Sequence, residues 1–123
     1  MYVNGYIIAV PQAKKSVFIA AIKVFAEVAI DFGAIEIFEN WELEVPDGEF
    51  TDYRKAVQAL PDEKIVFAWV VWPDRQTGAV AHEGMWVDPR MLVIEEMPIE
   101  SKRMILGGFE PIFSYRKDIE NAD

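Results

Sequence analysis

The sequence predicts an α+β domain of ferredoxin-like βαββαβ order: a four-stranded antiparallel sheet with two helices on one face. Three observations carry this reading. Ile65-Val66-Phe67-Ala68-Trp69-Val70-Val71-Trp72 is an unbroken apolar run, dominated by β-branched and aromatic residues, that stops at Pro73-Asp74. Such a run reads as a strand covered on both faces. Tyr6-Ile7-Ile8-Ala9-Val10 has the same character and stops at Pro11. Each of the two runs is followed by a segment of helical character.

The first helix is written in its spacing. Phe18, Ala21, Ile22, Phe25, Val28, Ala29 and Phe32 recur every three or four residues and share one face, and Gly33 supplies a C-terminal stop. Ser16, Lys23, Glu27 and Asp31 form the opposite, narrow polar stripe. Ile19 and Ile30 on one flank, with Val17 and Val24 on the other, make the apolar arc wider than one sheet requires. A neighbour is expected there: the tail, the loop after Gly48, or another subunit.

Ala34 to Leu43 mixes Ile35, Ile37, Phe38 and Trp41 with glutamates, as an edge strand does to discourage stray pairing. Val45-Pro46-Asp47-Gly48 predicts a turn. Glu49 to Pro61 reads as a long loop with one helical turn near Tyr53 to Leu60. Asp74 is an N-cap for a second helix reaching about Val87, weakened by Gly78 and Gly84 at about 1 kcal/mol each. Asp88-Pro89 starts one further turn. Arg103 to Glu110 leads into Ile112-Phe113 as the last strand, with Gly107-Gly108 marking a bulge or a close approach.

A right-handed crossover is expected to set the first and third strands side by side and parallel at the sheet centre, the others at the edges. The domain spans residues 1–115, and 116–123 is a polar tail. Two helices cover only one face of four strands, yet the strands do not alternate. A second copy of the chain is therefore expected on the helix-free face, making a homodimer.

Composition narrows the function classes. The net charge of −9 argues against nucleic acid, which needs clustered Lys and Arg. There is no cysteine, so disulfides, thiolate chemistry and cysteine-based zinc sites are absent. No signal-peptide pattern opens the chain, and Val17 to Ile30 is short and carries Lys23 and Glu27, so neither export nor a membrane span is expected. These features predict a cytoplasmic protein.

Several short stretches resemble the YbaA-like family of unknown function (domain of unknown function 1428). They are Tyr2-Val3-Asn4-Gly5-Tyr6, Gly33-Ala34, Val45-Pro46-Asp47-Gly48, Val66-Phe67-Ala68-Trp69, Trp72-Pro73, Asp88-Pro89-Arg90-Met91 and Lys102-Arg103-Met104-Ile105-Leu106-Gly107-Gly108-Phe109-Glu110. In order, they cover the chain to about Phe113. The resemblance implies a dimeric α/β barrel and no established activity. The first helix is more apolar than the family pattern, and His82 stands where relatives more often carry Asn. The wider superfamily includes cofactor-free monooxygenases and haem-degrading enzymes, an analogy of fold alone.

Candidate chemistry is sparse. His82, the single histidine, lines up at helical spacing with Arg75, Ala79 and Trp86. If that stripe faced the sheet it could bind an anionic aromatic ligand or act as a base, although a solvent-touching flank histidine is the simpler reading. Metal-ligand spacing is missing around it, so neither a metal nor a cofactor such as haem is predicted. Glu110 is either a buried acid or, preferably, the ion-pair partner of Arg103. Trp69, Trp86 and Arg103 are candidate ligand contacts, while aromatics of a central strand are more often core.

Two functions follow. The first is a small apolar or aromatic ligand held between sheet and helices, with cofactor-free chemistry as an extension. The second is a non-catalytic assembly module. A cavity lined by Trp69, His82 or Arg75 favours the first, and a solid core the second.

Overall fold

A computed structural model describes residues 1–117. Its main elements are β1 (Tyr2–Pro11), α1 (Lys15–Asp31), β2 (Glu36–Trp41), α2 (Tyr53–Ala56), β3 (Glu63–Trp72), α3 (Arg75–Trp86), α4 (Leu92–Glu95) and β4 (Ile105–Phe109). Short 3-10 turns occupy Gln12–Lys14, Pro89–Met91 and Ser101–Arg103.

The four strands form one sheet in the order β2-β3-β1-β4, so the two most apolar strands lie at its centre. Every neighbouring pair is antiparallel, with β1 matched to β3 from Tyr2↔Trp72 to Pro11↔Glu63. The expectation that β1 and β3 run parallel is therefore corrected. The crossover rule governs strands joined directly by a helix, and α1 joins β1 to β2, not to β3. β1 and β2 both oppose β3, so it is these two that share a direction, with β3 between them.

Local signals set the helix ends. Asp74 accepts the Thr77 backbone N–H at 2.7 Å, capping α3. Gly33 ends α1 with φ of +108°, a conformation closed to most side chains. Gly84 persists inside α3 because a Cβ there would lie 2.3 Å from the Phe32 ring. Val45–Gly48 takes up an irregular path without a turn or a positive φ. Its conformation is held instead by Asp52, which accepts the Gly48 and Lys55 backbone N–H groups.

β4 stops at Phe109, so Ile112 and Phe113 lie beyond it rather than in it. Pro111 lacks the N–H that a further ladder bond needs. Gly107 and Gly108 pair in unbroken register with Gly5 and Asn4, without a bulge. The close approach at Gly108 comes from a side chain, because a Cβ there would fall 1.8 Å from the Tyr2 hydroxyl.

Register divides the strand residues between two faces. Tyr6, Ile8, Val10, Ile37, Trp41, Val66, Ala68, Val70 and Trp72 face α1 and α3. There they pack with Phe18, Val28, Ala29, Ala81 and Met85. The Trp72 indole N–H donates to Asn4 Oδ1 at 2.7 Å across this layer. The opposite face carries Phe38, Phe67, Trp69, Ile105 and Phe109. Among the described residues, cover comes at one end of it, where Val57 and Ala59 after α2 close over Ala9 and Ile65. The neighbour of α1 is the turn Pro89–Met91 with α4, tied down by Arg90 Nη1 to Asp31 Oδ2 at 2.8 Å. Among the described residues Ile19 and Ile30 remain exposed, and most of the tail 116–123, one of the expected neighbours, lies outside those residues.

Candidate functional site

Between the helix-bearing face and the segments after α3 lies a cavity of about 320 Å³. Its floor is Tyr6 of β1 and Leu106 of β4, neighbours in the ladder. Met85 of α3, Met91, Leu92 and Ile94 of the turn and α4, and Met104 before β4 line the rest, with His82, Trp86, Asp88 and Glu95 also on the wall. The cavity exists because α3 ends at Trp86 and Asp88 restarts the chain in a new direction. Its side chain accepts the Arg90 backbone N–H at 2.9 Å and pairs with the Arg90 guanidinium. The last β strand then has only short helical pieces above it instead of a third long helix.

Behind Tyr6, on the same rung of the sheet, sits Glu39. The rung reads Glu39, Ala68, Tyr6, Leu106 across β2, β3, β1 and β4, and the smallest side chain stands between the acid and the phenol. Glu39 Oε2 is buried without a hydrogen-bond partner among the described residues. Burial pushes the Glu39 carboxyl up to about 7. Burial, and then the charge of Glu39, push the Tyr6 hydroxyl up to about 12. Both shifts express the same cause: a layer with little water in which a negative charge is poorly solvated.

The residues singled out from the sequence scatter. His82 and Trp86 stand together at the cavity wall, their rings 6.5 Å apart and both residues exposed. The stripe Arg75, Ala79, His82, Trp86 does not face the sheet; Gly78, Ala81 and Met85 do. Trp69 lies on the other side of the sheet, stacked on Phe38 at 4.9 Å, and cannot reach the cavity. Strand alternation decides this, since Trp69 and Ala68 must point to opposite faces.

The ion pair expected between Arg103 and Glu110 is not formed. Arg103 instead makes a two-pronged contact with Glu63 at 2.8 and 2.7 Å, and also bonds Glu100 and the Gln58 carbonyl. The Arg103 guanidinium holds the Glu63 carboxyl below the usual carboxylate range, and Arg103 is raised in return. Arg103 therefore fastens the loop after α2 to the turn before β4 and is not free to hold a ligand. Glu110 is exposed just past the end of β4.

Tyr6, Glu39 and the three cavity methionines were not legible as a site. The one available signal was the two-residue period Ile37, Glu39, Trp41, which puts an acid on an otherwise apolar face. Among the described residues no group of His, Asp and Glu is placed to hold a metal ion, and no helix is long and apolar enough to cross a membrane.

An antiparallel four-stranded α+β sheet with an apolar cavity under α3 and α4 defines the class. The chain belongs to the family described as "Protein of unknown function (DUF1428)", whose profile matches residues 1–101. It is 43% identical over 112 residues to "Uncharacterized protein YbaA" of Escherichia coli K12, an alignment covering 90% of this chain and 96% of that protein. The same identity and coverage hold for the Shigella flexneri protein of that name.

Proposed function

We propose that this protein is a cytoplasmic homodimer that binds a small, neutral, largely apolar molecule between its sheet and the α3–α4 segment. The observation that carries the reading is the cavity itself. Its volume suits a small ligand, and its wall is mostly thioether and aliphatic, with few polar groups. Methionines adapt their shape to a guest better than branched side chains do. The acidic side chains Asp88 and Glu95 on the wall disfavour an anion. A reducing compartment accords with the lack of cysteine.

The homodimer reading rests on the helix-free face. Phe38, Phe67 and Phe109 are each between 44% and 60% exposed there, and Ile105 is 40% exposed. A contiguous aromatic surface of this kind is covered in a stable assembly. A second copy presents the same surface and so satisfies it by two-fold symmetry.

Two measurements test these readings. With methyl-labelled methionine, toluene should shift the resonances of Met85, Met91 and Met104 and leave exposed Met1 unmoved. Leu106→Trp, which fills the cavity from the sheet side, should abolish the shifts. No shift at saturating toluene overturns the ligand reading. Native mass spectrometry should give a dimer that Phe67→Lys converts to a monomer. A wild-type monomer at micromolar concentration overturns the assembly.

A further inference from the structure

The polar groups of the cavity lie at two levels. His82, Trp86 and Glu95 belong to α3 and α4 and are exposed, so they mark the outer wall, while Asp88 beside them is engaged by Arg90. On the sheet side the floor holds one polar side chain, Tyr6, with Leu106 next to it in the ladder. Among the described residues the Tyr6 hydroxyl makes no hydrogen bond. It is not sealed into the packing either, because Glu39 Oε2 is the single buried side-chain oxygen or nitrogen there without a partner. Tyr6 stands on a central strand, and the space it opens on is the cavity.

A donor held away from bulk water with nothing to receive its proton costs stability, and a bound acceptor removes that cost. We propose that Tyr6 donates a hydrogen bond to the ligand, and that the ligand is an apolar molecule with a carbonyl oxygen at its inner end, a ketone or an aldehyde. This rests on the ligand reading above and names the polar group of that ligand.

Donor and acceptor count selects a carbonyl over an alcohol. Tyrosine keeps its proton at neutral pH, so the floor offers one O–H. A carbonyl oxygen accepts it and brings no donor of its own. An alcohol brings a second O–H, and whichever of the two hydroxyls donates, the other proton is left facing methionine and leucine side chains. Those accept weakly or not at all. A carboxylate would accept as well, but Asp88 and Glu95 on the wall repel it. His82 also lines the wall and can donate, so it needs a control.

The test titrates acetophenone, 1-phenylethanol and α-methylstyrene into the intact protein and follows the methionine methyls. The three share one carbon frame and differ in carrying a carbonyl, a hydroxyl or a methylene at the same position. The wild type should bind acetophenone about threefold tighter than 1-phenylethanol. Tyr6→Phe, which keeps the ring, should lower the ratio of acetophenone to α-methylstyrene affinity about tenfold, the worth of one hydrogen bond. The infrared carbonyl stretch of bound acetophenone should lie below its value in hexane, and His82→Gln should keep that shift. An affinity ratio unchanged in Tyr6→Phe, or tighter binding of the alcohol, overturns the carbonyl assignment. So does a bound stretch at the hexane value, or a shift lost in His82→Gln, and these two readouts decide the matter if Tyr6→Phe does not fold. In each of those cases binding of α-methylstyrene leaves the cavity reading standing. Failure of all three compounds to bind overturns the cavity reading and the carbonyl assignment together.

Discussion

The two faces of the sheet are built from the same strands and are almost equally apolar, yet they have opposite fates. On one face Val66, Val70 and Trp72 are at most 3% exposed beneath α1 and α3. On the other, Phe67, the neighbour of Val66 in sequence, is 44% exposed and meets Trp69 edge-on and Tyr53 at a tilt, while Trp69 stacks on Phe38. The helix face has spent its apolar surface on the fold and keeps one acid, Glu39, among its strand residues. The open face keeps its apolar surface available and carries no comparable acid at its centre. Stability therefore resides on the first face, and the second keeps the apolar surface that the proposed dimer would cover.

Mutating matched residues on the two faces breaks this comparison most directly. Trp72→Ala removes a buried indole and its bond to Asn4, and should cost about 3–5 kcal/mol in urea unfolding. Trp69→Ala on the open face should cost about 1–2 kcal/mol in dilute protein, because the ring is only partly buried within the chain. Its larger effect should be on the proposed dimer, read by native mass spectrometry. Equal losses for the two tryptophans in dilute protein would show that the faces do not differ as described.

The next effect is a pH dependence confined to the helix face. The Glu39 carboxyl has an ordinary value of 4.5 and a folded value of about 7. Between those values the unfolded chain has released this proton and the folded chain has not, so stability falls as pH rises across that window. The fall should approach about 3 kcal/mol, and Glu39→Gln should flatten it. Asp74, lowered chiefly by its bond to the Thr77 N–H, acts in the opposite sense and at lower pH. Its contribution is present above the ordinary carboxylate range and lost as pH falls through the folded value, so the two windows separate in a melting series. A wild-type melting temperature that stays flat between those pH values would place Glu39 in contact with water.

Glu63→Gln weakens the two-pronged contact that ties the loop over the open face, and should cost about 2 kcal/mol by thermal unfolding. Protease sensitivity should rise around Gln58 first. The smallest effect is expected at His82, exposed on α3: His82→Asn should change stability by no more than about 0.5 kcal/mol. A large loss there would mean the imidazole supports the cavity wall.

Much of the chain was written locally. The apolar runs named β1 and β3, the spacing from Phe18 to Phe32 named α1, and Asp74 and Asp88 marked their caps, because each signal acts over a few residues. Even the need for cover on the helix-free face followed from the missing alternation. What the sequence left undecided was every relation between distant residues. Period alone could not say which face of β3 the helices take, and the candidate ligand contact Trp69 lies on the face opposite the cavity. Nor could it say that Arg103 meets Glu63, forty residues away, in place of Glu110, seven away. The cavity gathers Tyr6, Met85, Met91 and Leu106 from four separate elements, and ordinary core residues acquire a site only when the chain fails to fill the space between them. Glu39 shows the division most sharply. Its alternation with Ile37 and Trp41 determined that it points inward, but only tertiary packing, by removing water and withholding a partner, made it an acid that titrates near neutrality.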